Sequence, residues 1–132
     1  MSKASNFLED AVLNYFFRGE SVTRNTNVYV ALYMTDPTDS DSGTEVNGGA
    51  YARQLVSFGA PTQQSEQAVI TNNDRIEFPK ATADWGEVSH FGIRDAQQGG
   101  NLLAYGTFNR PTTIETGNRF IIEPGNLTIS MG

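Results

Sequence analysis

The sequence predicts a mainly antiparallel β fold with one short N-terminal helix, and three observations support that prediction. The apolar period changes from 3.6 residues near the N-terminus to two residues over most of the chain. Thirteen glycines, with frequent Thr, Ser and Asn, indicate many turns. Short β-branched and aromatic runs recur between those turns. We therefore expect a jelly-roll-like antiparallel β-sandwich or barrel of about seven or eight short strands.

The helix is expected at about residues 6–18. Residues spaced at i, i+3, i+4, i+7 and i+8 form one apolar face, namely Leu8, Ala11, Val12, Tyr15 and Phe16. Ser5 or Asn6 can cap its start, and Gly19 follows its end. Because so short a helix needs a surface to pack on, its apolar residues are expected to contact either the chain's own sheet or a partner.

The strands are predicted from β-branched and aromatic runs. The strand at 28–33 is almost entirely apolar, which predicts that both of its faces are covered. Further strands are expected at 51–58, 68–71, 75–78, 87–94, 101–108, 119–123 and 126–131. We expect 68–71 to pair with 75–78, and 87–94 to form a hairpin with 101–108. Pro124-Gly125 has the sequence of a type II turn.

The chain is predicted to form a single domain. Its 132 residues are enough for one hydrophobic core, with the helix at about 6–18 and a β domain at about 27–131. We find no internal repeat and no linker in the sequence.

Composition excludes several classes of function. The absence of cysteine excludes disulfides, Cys-ligated metals and a thiol nucleophile. The net charge is -6, and the nine Lys and Arg residues form no basic stripe, so no nucleic-acid partner is expected. No targeting segment or membrane span is apparent, because acidic and amide residues interrupt the apolar start of the chain. No membrane partner is expected either.

No motif predicts catalysis. His90 is the only histidine, and no nucleophile signature accompanies it. We therefore expect His90 to be a partly buried strand residue with a local hydrogen bond. Trp85, the only tryptophan, is expected to pack in the core or at a sheet end. The sequence predicts a protein that is not an enzyme and has no cofactor.

The polar loop at 35–49 is a candidate contact surface, since structureless loops of this length are often functional. Its carboxylates are Asp36, Asp39, Asp41 and Glu45. A calcium loop of the EF-hand type starting at Asp39 fails at its fifth and twelfth positions, which are Gly43 and Ala50. A solvated acidic loop is the preferred interpretation, with an irregular calcium site as the alternative.

Three segments of the sequence carry a family resemblance. They are 43–54 (GTEVNGGAYARQ), 78–96 (FPKATADWGEVSHFGIRDA) and 99–106 (GGNLLAYG). These segments resemble a family of short tailed-phage virion proteins commonly labelled phage tail fibre proteins. The start of the chain, 5–33, is similar as well, whereas 111–132 matches only in pattern. The resemblance implies a structural protein of the virion, made in the cytoplasm of the bacterial host.

Within that class we favour a capsid decoration (cement) protein. The chain has no heptads, collagen triplets or β-repeats from which to build a fibre shaft. Its expected partners are then other phage structural proteins, with the major capsid protein favoured, and it is expected to be a homo-oligomer in the particle. One alternative is a tail, tail-tip or tail-fibre component, and another is a glycan- or receptor-binding module. The expected partner contacts are Leu8, Val12, Tyr15, Phe16, Asp36, Asp39, Asp41 and Glu45.

Overall fold

The computed structural model describes residues 2–132, which contain ten strands and one helix. Their bounds are β1 Ser2–Ala4, α1 Asn6–Phe17, β2 Val28–Tyr33, β3 Gln54–Val56, β4 Thr62–Gln64, β5 Gln67–Thr71, β6 Ile76–Glu77, β7 Gly86–Arg94, β8 Leu102–Ile114, β9 Ile121–Ile122 and β10 Thr128–Met131. All strand pairs are antiparallel. The mainly β class with one N-terminal helix is therefore confirmed. Two short strands, β1 and β4, were not predicted.

The largest sheet has five strands in the order β1-β8-β7-β2-β3. Its centre is the β7–β8 hairpin, which confirms the predicted pairing of 87–94 with 101–108. In β2 the last four residues are buried, as its apolar sequence predicted. The sheet ends at β1 and β3 and does not close on itself, so the described residues form a sandwich-like arrangement of sheets rather than a barrel.

The predicted pairing of 68–71 with 75–78 is wrong. Strand β5 pairs instead with β4 and β10, and β6 pairs with β9. The side chain of Asn72 explains the difference, because it is buried between the two predicted partners. Its Nδ2 donates to the carbonyl oxygens of Asp74 and Glu123, and its Oδ1 accepts from the backbone N–H of Leu127 at 2.9 Å. The chain after β5 is thus bound to the segment that precedes β10.

The predicted type II turn is present. The backbone N–H of Asn126 donates to the carbonyl of Glu123 at 3.1 Å, and Gly125 has a φ of +82°. A positive φ at this position favours glycine. The turn connects strands of two different sheets, since β9 pairs with β6 and β10 pairs with β5.

The core lies against one face of the five-stranded sheet. It combines residues of β2, β7 and β8 with aromatic side chains from the connecting segments, among them Phe78 and Trp85. The indole N–H of Trp85 donates to the carbonyl of Gly49 at 2.9 Å. The predicted packing role of Trp85 is confirmed, and this hydrogen bond also ties the end of the acidic loop to the core.

Replacement of Asn72 by Ala tests the junction between the sheets. It leaves the buried N–H of Leu127 without its acceptor, so we expect the free energy of unfolding to fall by about 1–3 kcal/mol. The matched control is Asn73→Ala, which removes an exposed hydrogen bond to Ser57 and should cost less than about 0.5 kcal/mol. Urea denaturation measures both, and equal losses would contradict the assigned role of Asn72.

Candidate interface around the N-terminal helix

Helix α1 is bound to the rest of the structure through its first turn. The hydroxyl of Ser5 accepts from the backbone N–H of Leu8 at 3.1 Å and donates to the carbonyl of Leu102. Ser5 is therefore the N-cap rather than Asn6. The backbone N–H of Asn6 donates to the carbonyl of Asp39 at 2.8 Å. These bonds fix the start of the helix to β8 and to the acidic loop.

The predicted apolar face of α1 is only partly covered. Leu8 and Val12 are half-buried, whereas Tyr15 is 54% exposed and Phe16 is 73% exposed. No residue of the helix is fully buried. The two aromatic rings contact each other edge to face, with their centroids 4.9 Å apart. The helix is thus fixed at its first turn, while its C-terminal half carries apolar side chains that are exposed to solvent.

Sequence reasoning missed several apolar residues of this surface. Phe17 is 79% exposed and Leu13 is 55% exposed, and Phe7 and Val22 are also exposed. The run of three aromatic residues at 15–17 could have revealed this exposure. A helix that lies on a sheet turns only one side inward, so three consecutive residues cannot all be buried. We refer to the exposed apolar residues as the helix patch, which consists of Phe7, Leu13, Tyr15, Phe16, Phe17 and Val22.

Two clefts flank the helix. One, of about 460 Å³, lies between α1 and the extended segment after it, and is lined by residues that include Tyr15, Val22 and Val28. The other, of about 570 Å³, separates α1 from β1 and β10 and is lined by residues that include Leu13 and Met131. Helix α1 therefore lies between two open clefts, and apolar side chains of the helix line both of them.

The structure divides the four acidic residues of the 35–49 loop into two pairs. Asp36 and Asp39 are exposed and lie near the start of α1. Burial raises the pKa of Tyr105 above its usual value, and the negative charges of Asp39, Asp36 and Glu9 raise it further. Asp41 and Glu45 instead bind arginines. The first pair thus adds negative charge beside the helix, and the second has a structural role.

Arg94 and Arg53 hold the loop against the sheet. The guanidinium of Arg94 donates to both carboxylate oxygens of Asp41, at 2.7 and 2.9 Å, and to the hydroxyl of Tyr33 at 2.9 Å. The guanidinium of Arg53 binds both oxygens of Glu45 at 2.8 Å. Both arginines also donate to backbone carbonyls in the turn between β7 and β8. Two bidentate pairs therefore connect the loop, the sheet and the hairpin turn.

These pairs change how the acidic loop can be interpreted. Among residues 2–132, no three or more His, Asp or Glu side chains are grouped so that they could hold a metal ion. Asp41 and Glu45 would have to leave their arginines before they could bind a cation. The alternative of an irregular calcium site thus loses two of its four proposed ligands.

The acid–base properties of Glu45 follow from its partners. Burial raises its pKa, but the hydrogen bonds from Arg53 and Tyr51 outweigh burial and lower the pKa below the ordinary value. The hydroxyl of Tyr51 donates to Glu45 at 2.6 Å and accepts from the backbone N–H of Leu32. Burial and this carboxylate together raise the pKa of Tyr51. The group is therefore a fixed ion pair with a neutral tyrosine at ordinary pH.

His90 has the local environment that the sequence predicted. It lies half-buried in β7, and its Nδ1 is hydrogen-bonded to the hydroxyl of Ser89 at 2.7 Å. The same hydroxyl donates to the carbonyl of Met34 at 3.1 Å. The expected local hydrogen bond is confirmed.

Comparison with known proteins identifies the class of this chain as a structural protein of a bacteriophage virion. Residues 3–130 match the family described as "Podophage GP4 fiber I protein gp80", so the chain belongs to that family. The resemblance to phage tail fibre proteins is thereby confirmed, as is the virion as the protein's location. No curated protein matches the chain. Within residues 2–132, no helix combines the length and apolarity needed to cross a membrane.

The exposure of Phe16 predicts that it contributes little to folding. Because its ring is 73% exposed, Phe16→Ala should change the free energy of unfolding by less than about 0.5 kcal/mol. Leu8→Ala is the matched variant on the inner side of the helix and should cost about 1–2 kcal/mol, since Leu8 is half-buried. Thermal melting compares the two, and a loss of about 3–5 kcal/mol for Phe16→Ala would show instead that Phe16 is a core residue.

The pair of Glu45 and Arg53 predicts a pH dependence. Folding lowers the pKa of Glu45, so the carboxylate contributes to the free energy of unfolding. This contribution is complete above the ordinary pKa of 4.5 and is lost as the pH falls through the lower pKa of the folded state. At pH 7, Glu45→Gln should cost roughly 3 kcal/mol, because it leaves Arg53 buried without its carboxylate.

Denaturation at several pH values tests this dependence. The difference between Glu45→Gln and the unmodified chain should shrink as the pH falls below 4.5. Glu87→Gln is the control, because Glu87 is exposed, and it should follow the unmodified chain throughout. A difference that stays constant down to pH 2 would contradict the assignment.

Proposed function

We propose that this protein is a non-enzymatic, single-domain component of the tail-fibre apparatus of a short-tailed phage. The family match over residues 3–130 carries the proposal, because the family is described as a fibre protein. That description favours the tail-fibre alternative over the capsid decoration protein that the sequence analysis preferred. The decoration interpretation gains no support from the family, and it serves below as the competing outcome.

The structure supports an attachment role rather than a shaft role. Fibre shafts are built from long repetitive elements, and the sequence contains no such repeat. The chain instead combines a body held by ion pairs of two buried arginines with a helix whose apolar side chains are only partly covered by its own sheet. Exposed apolar patches of this kind mark contact sites with other proteins. We propose that the helix patch attaches the domain to another tail protein.

Symmetry strengthens such an attachment. In a symmetric particle several copies would bind at once, and modest individual contacts would add through high effective concentration. Self-association of this chain in the particle remains a prediction.

The number and position of copies in the particle test this proposal. We expect quantitative mass spectrometry of purified virions to find far fewer copies than of the major capsid protein, and none in DNA-filled heads isolated without tails. Tail proteins whose position is known provide the control for head purity. A copy number near that of the capsid subunit, or a simple fraction of it, together with retention on tailless heads, would establish the decoration protein instead.

A further inference from the structure

We infer that Asn47 is a site of spontaneous deamidation, at which the side-chain amide becomes a carboxylate and part of the product acquires a lengthened backbone. The site lies near the end of the 35–49 loop, and its chemistry does not depend on the proposed function. Two features support it, namely the residue that follows Asn47 and the freedom of the two reacting groups. Fixed contacts on either side of the site determine its effect on the structure.

The following residue distinguishes Asn47 from the other asparagines of the chain, because it alone precedes a glycine. Deamidation begins when the backbone nitrogen of the next residue attacks the side-chain carbonyl carbon, and a side chain on that residue obstructs the attack. Gly48 has no side chain. The space around it is also open, since a Cβ at its position would meet no heavy atom within 4 Å. The path to the side chain of Asn47 is therefore unobstructed.

The reaction consumes water and releases ammonia. The backbone nitrogen of Gly48 loses its proton and forms a bond to Cγ of Asn47, while the side-chain nitrogen takes up a proton and leaves as ammonia. Water then opens the resulting succinimide ring at either of its carbonyl carbons. Breaking the bond to Cγ gives aspartate, whereas breaking the bond to the main-chain carbonyl carbon gives isoaspartate. Water is thus the only co-reactant.

The fold holds neither of the reacting groups. Asn47 and Gly48 are both exposed, and they lie outside the strands. Among residues 2–132, the side-chain amide of Asn47 and the backbone N–H of Gly48 have no hydrogen-bond partner. Such bonds would slow the reaction, because they would fix the amide and keep the attacking nitrogen protonated. The folded chain therefore leaves this dipeptide free to react.

The contacts on either side of the dipeptide are fixed, so isoaspartate must disturb them. The backbone N–H of the buried Val46 donates to the carbonyl of Leu32 at 3.0 Å. The carbonyl of Gly49 accepts from the indole N–H of Trp85 at 2.9 Å. Isoaspartate adds a methylene group to the backbone between these two anchors, whereas aspartate adds only charge. The longer product has to strain or release one anchor, which weakens the attachment of the loop to the core.

Peptide mapping of the aged protein by mass spectrometry tests the site. The full chain is incubated in mildly alkaline buffer and digested, and conversion is followed at each asparagine. We expect Asn47 to convert roughly tenfold faster than Asn109 and Asn126, which are also exposed but precede Arg and Leu. The rate should rise with pH, since the attacking nitrogen must lose its proton. Equal rates at the three positions would overturn the inference.

The same measurement in guanidinium chloride tests the contribution of the fold. In the unfolded chain, the local sequence alone sets the rate of conversion at Asn47. We expect the folded rate to lie within about tenfold of the unfolded rate, because no hydrogen bond has to open before the reaction. A larger difference would show that the turn holds the nitrogen of Gly48 away from the side chain of Asn47, and it would also overturn the inference.

Two variants separate added charge from added backbone length. Asn47→Asp carries the charge on an ordinary backbone, and Asn47→Ser lacks the reactive amide. We expect fresh Asn47→Asp to melt as the unmodified chain does, and Asn47→Ser to keep its melting temperature after ageing. The aged unmodified chain should melt lower, in proportion to its content of isoaspartate as measured by enzymatic methylation. If it melts as fresh Asn47→Asp does, the assigned effect on the loop is wrong.

Discussion

The arrangement of the candidate interface depends on the ion pairs of two buried arginines. Arg94 with Asp41, and Arg53 with Glu45, fix the 35–49 loop to the five-stranded sheet. The same loop accepts a hydrogen bond from the first residue of helix α1 through the carbonyl of Asp39. Since loss of either carboxylate would leave an arginine charge buried, each arginine needs its partner. The position of the helix therefore depends both on its bonds to β8 and on charges that lie outside it.

The acidic loop therefore contributes to the candidate interface in two ways, although the sequence predicted only a solvated contact loop. Two of its carboxylates neutralise buried arginines, and the other two add negative charge beside the helix. The loop is thus both a support for the helix and a part of its surroundings. A solvated loop with no fixed partners would not hold the start of the helix in one place.

The sequence predicted the fold class and eight of the ten strands because their local signals are strong. The β7–β8 hairpin and the type II turn at Pro124-Gly125 depend on nearby residues. The pairing of β5 was mispredicted because Asn72 binds the segment that ends at Leu127, and such long-range contacts have no local signature. Likewise, apolar periodicity found Leu8 and Val12, but it could not show that Phe16 and Phe17 remain exposed. The ion pairs of the arginines join side chains that are separated in sequence, so the sequence pattern could not predict them either.

We propose that this phage fibre protein attaches to the particle through its N-terminal helix. The most direct measurement is a cryo-electron microscopy map of the intact virion at a resolution that shows side chains. We expect the domain to lie on the tail, with Leu13, Phe16 and Phe17 buried against a different protein. A map in which the helix faces solvent, while another surface of the domain makes the contact, would contradict it.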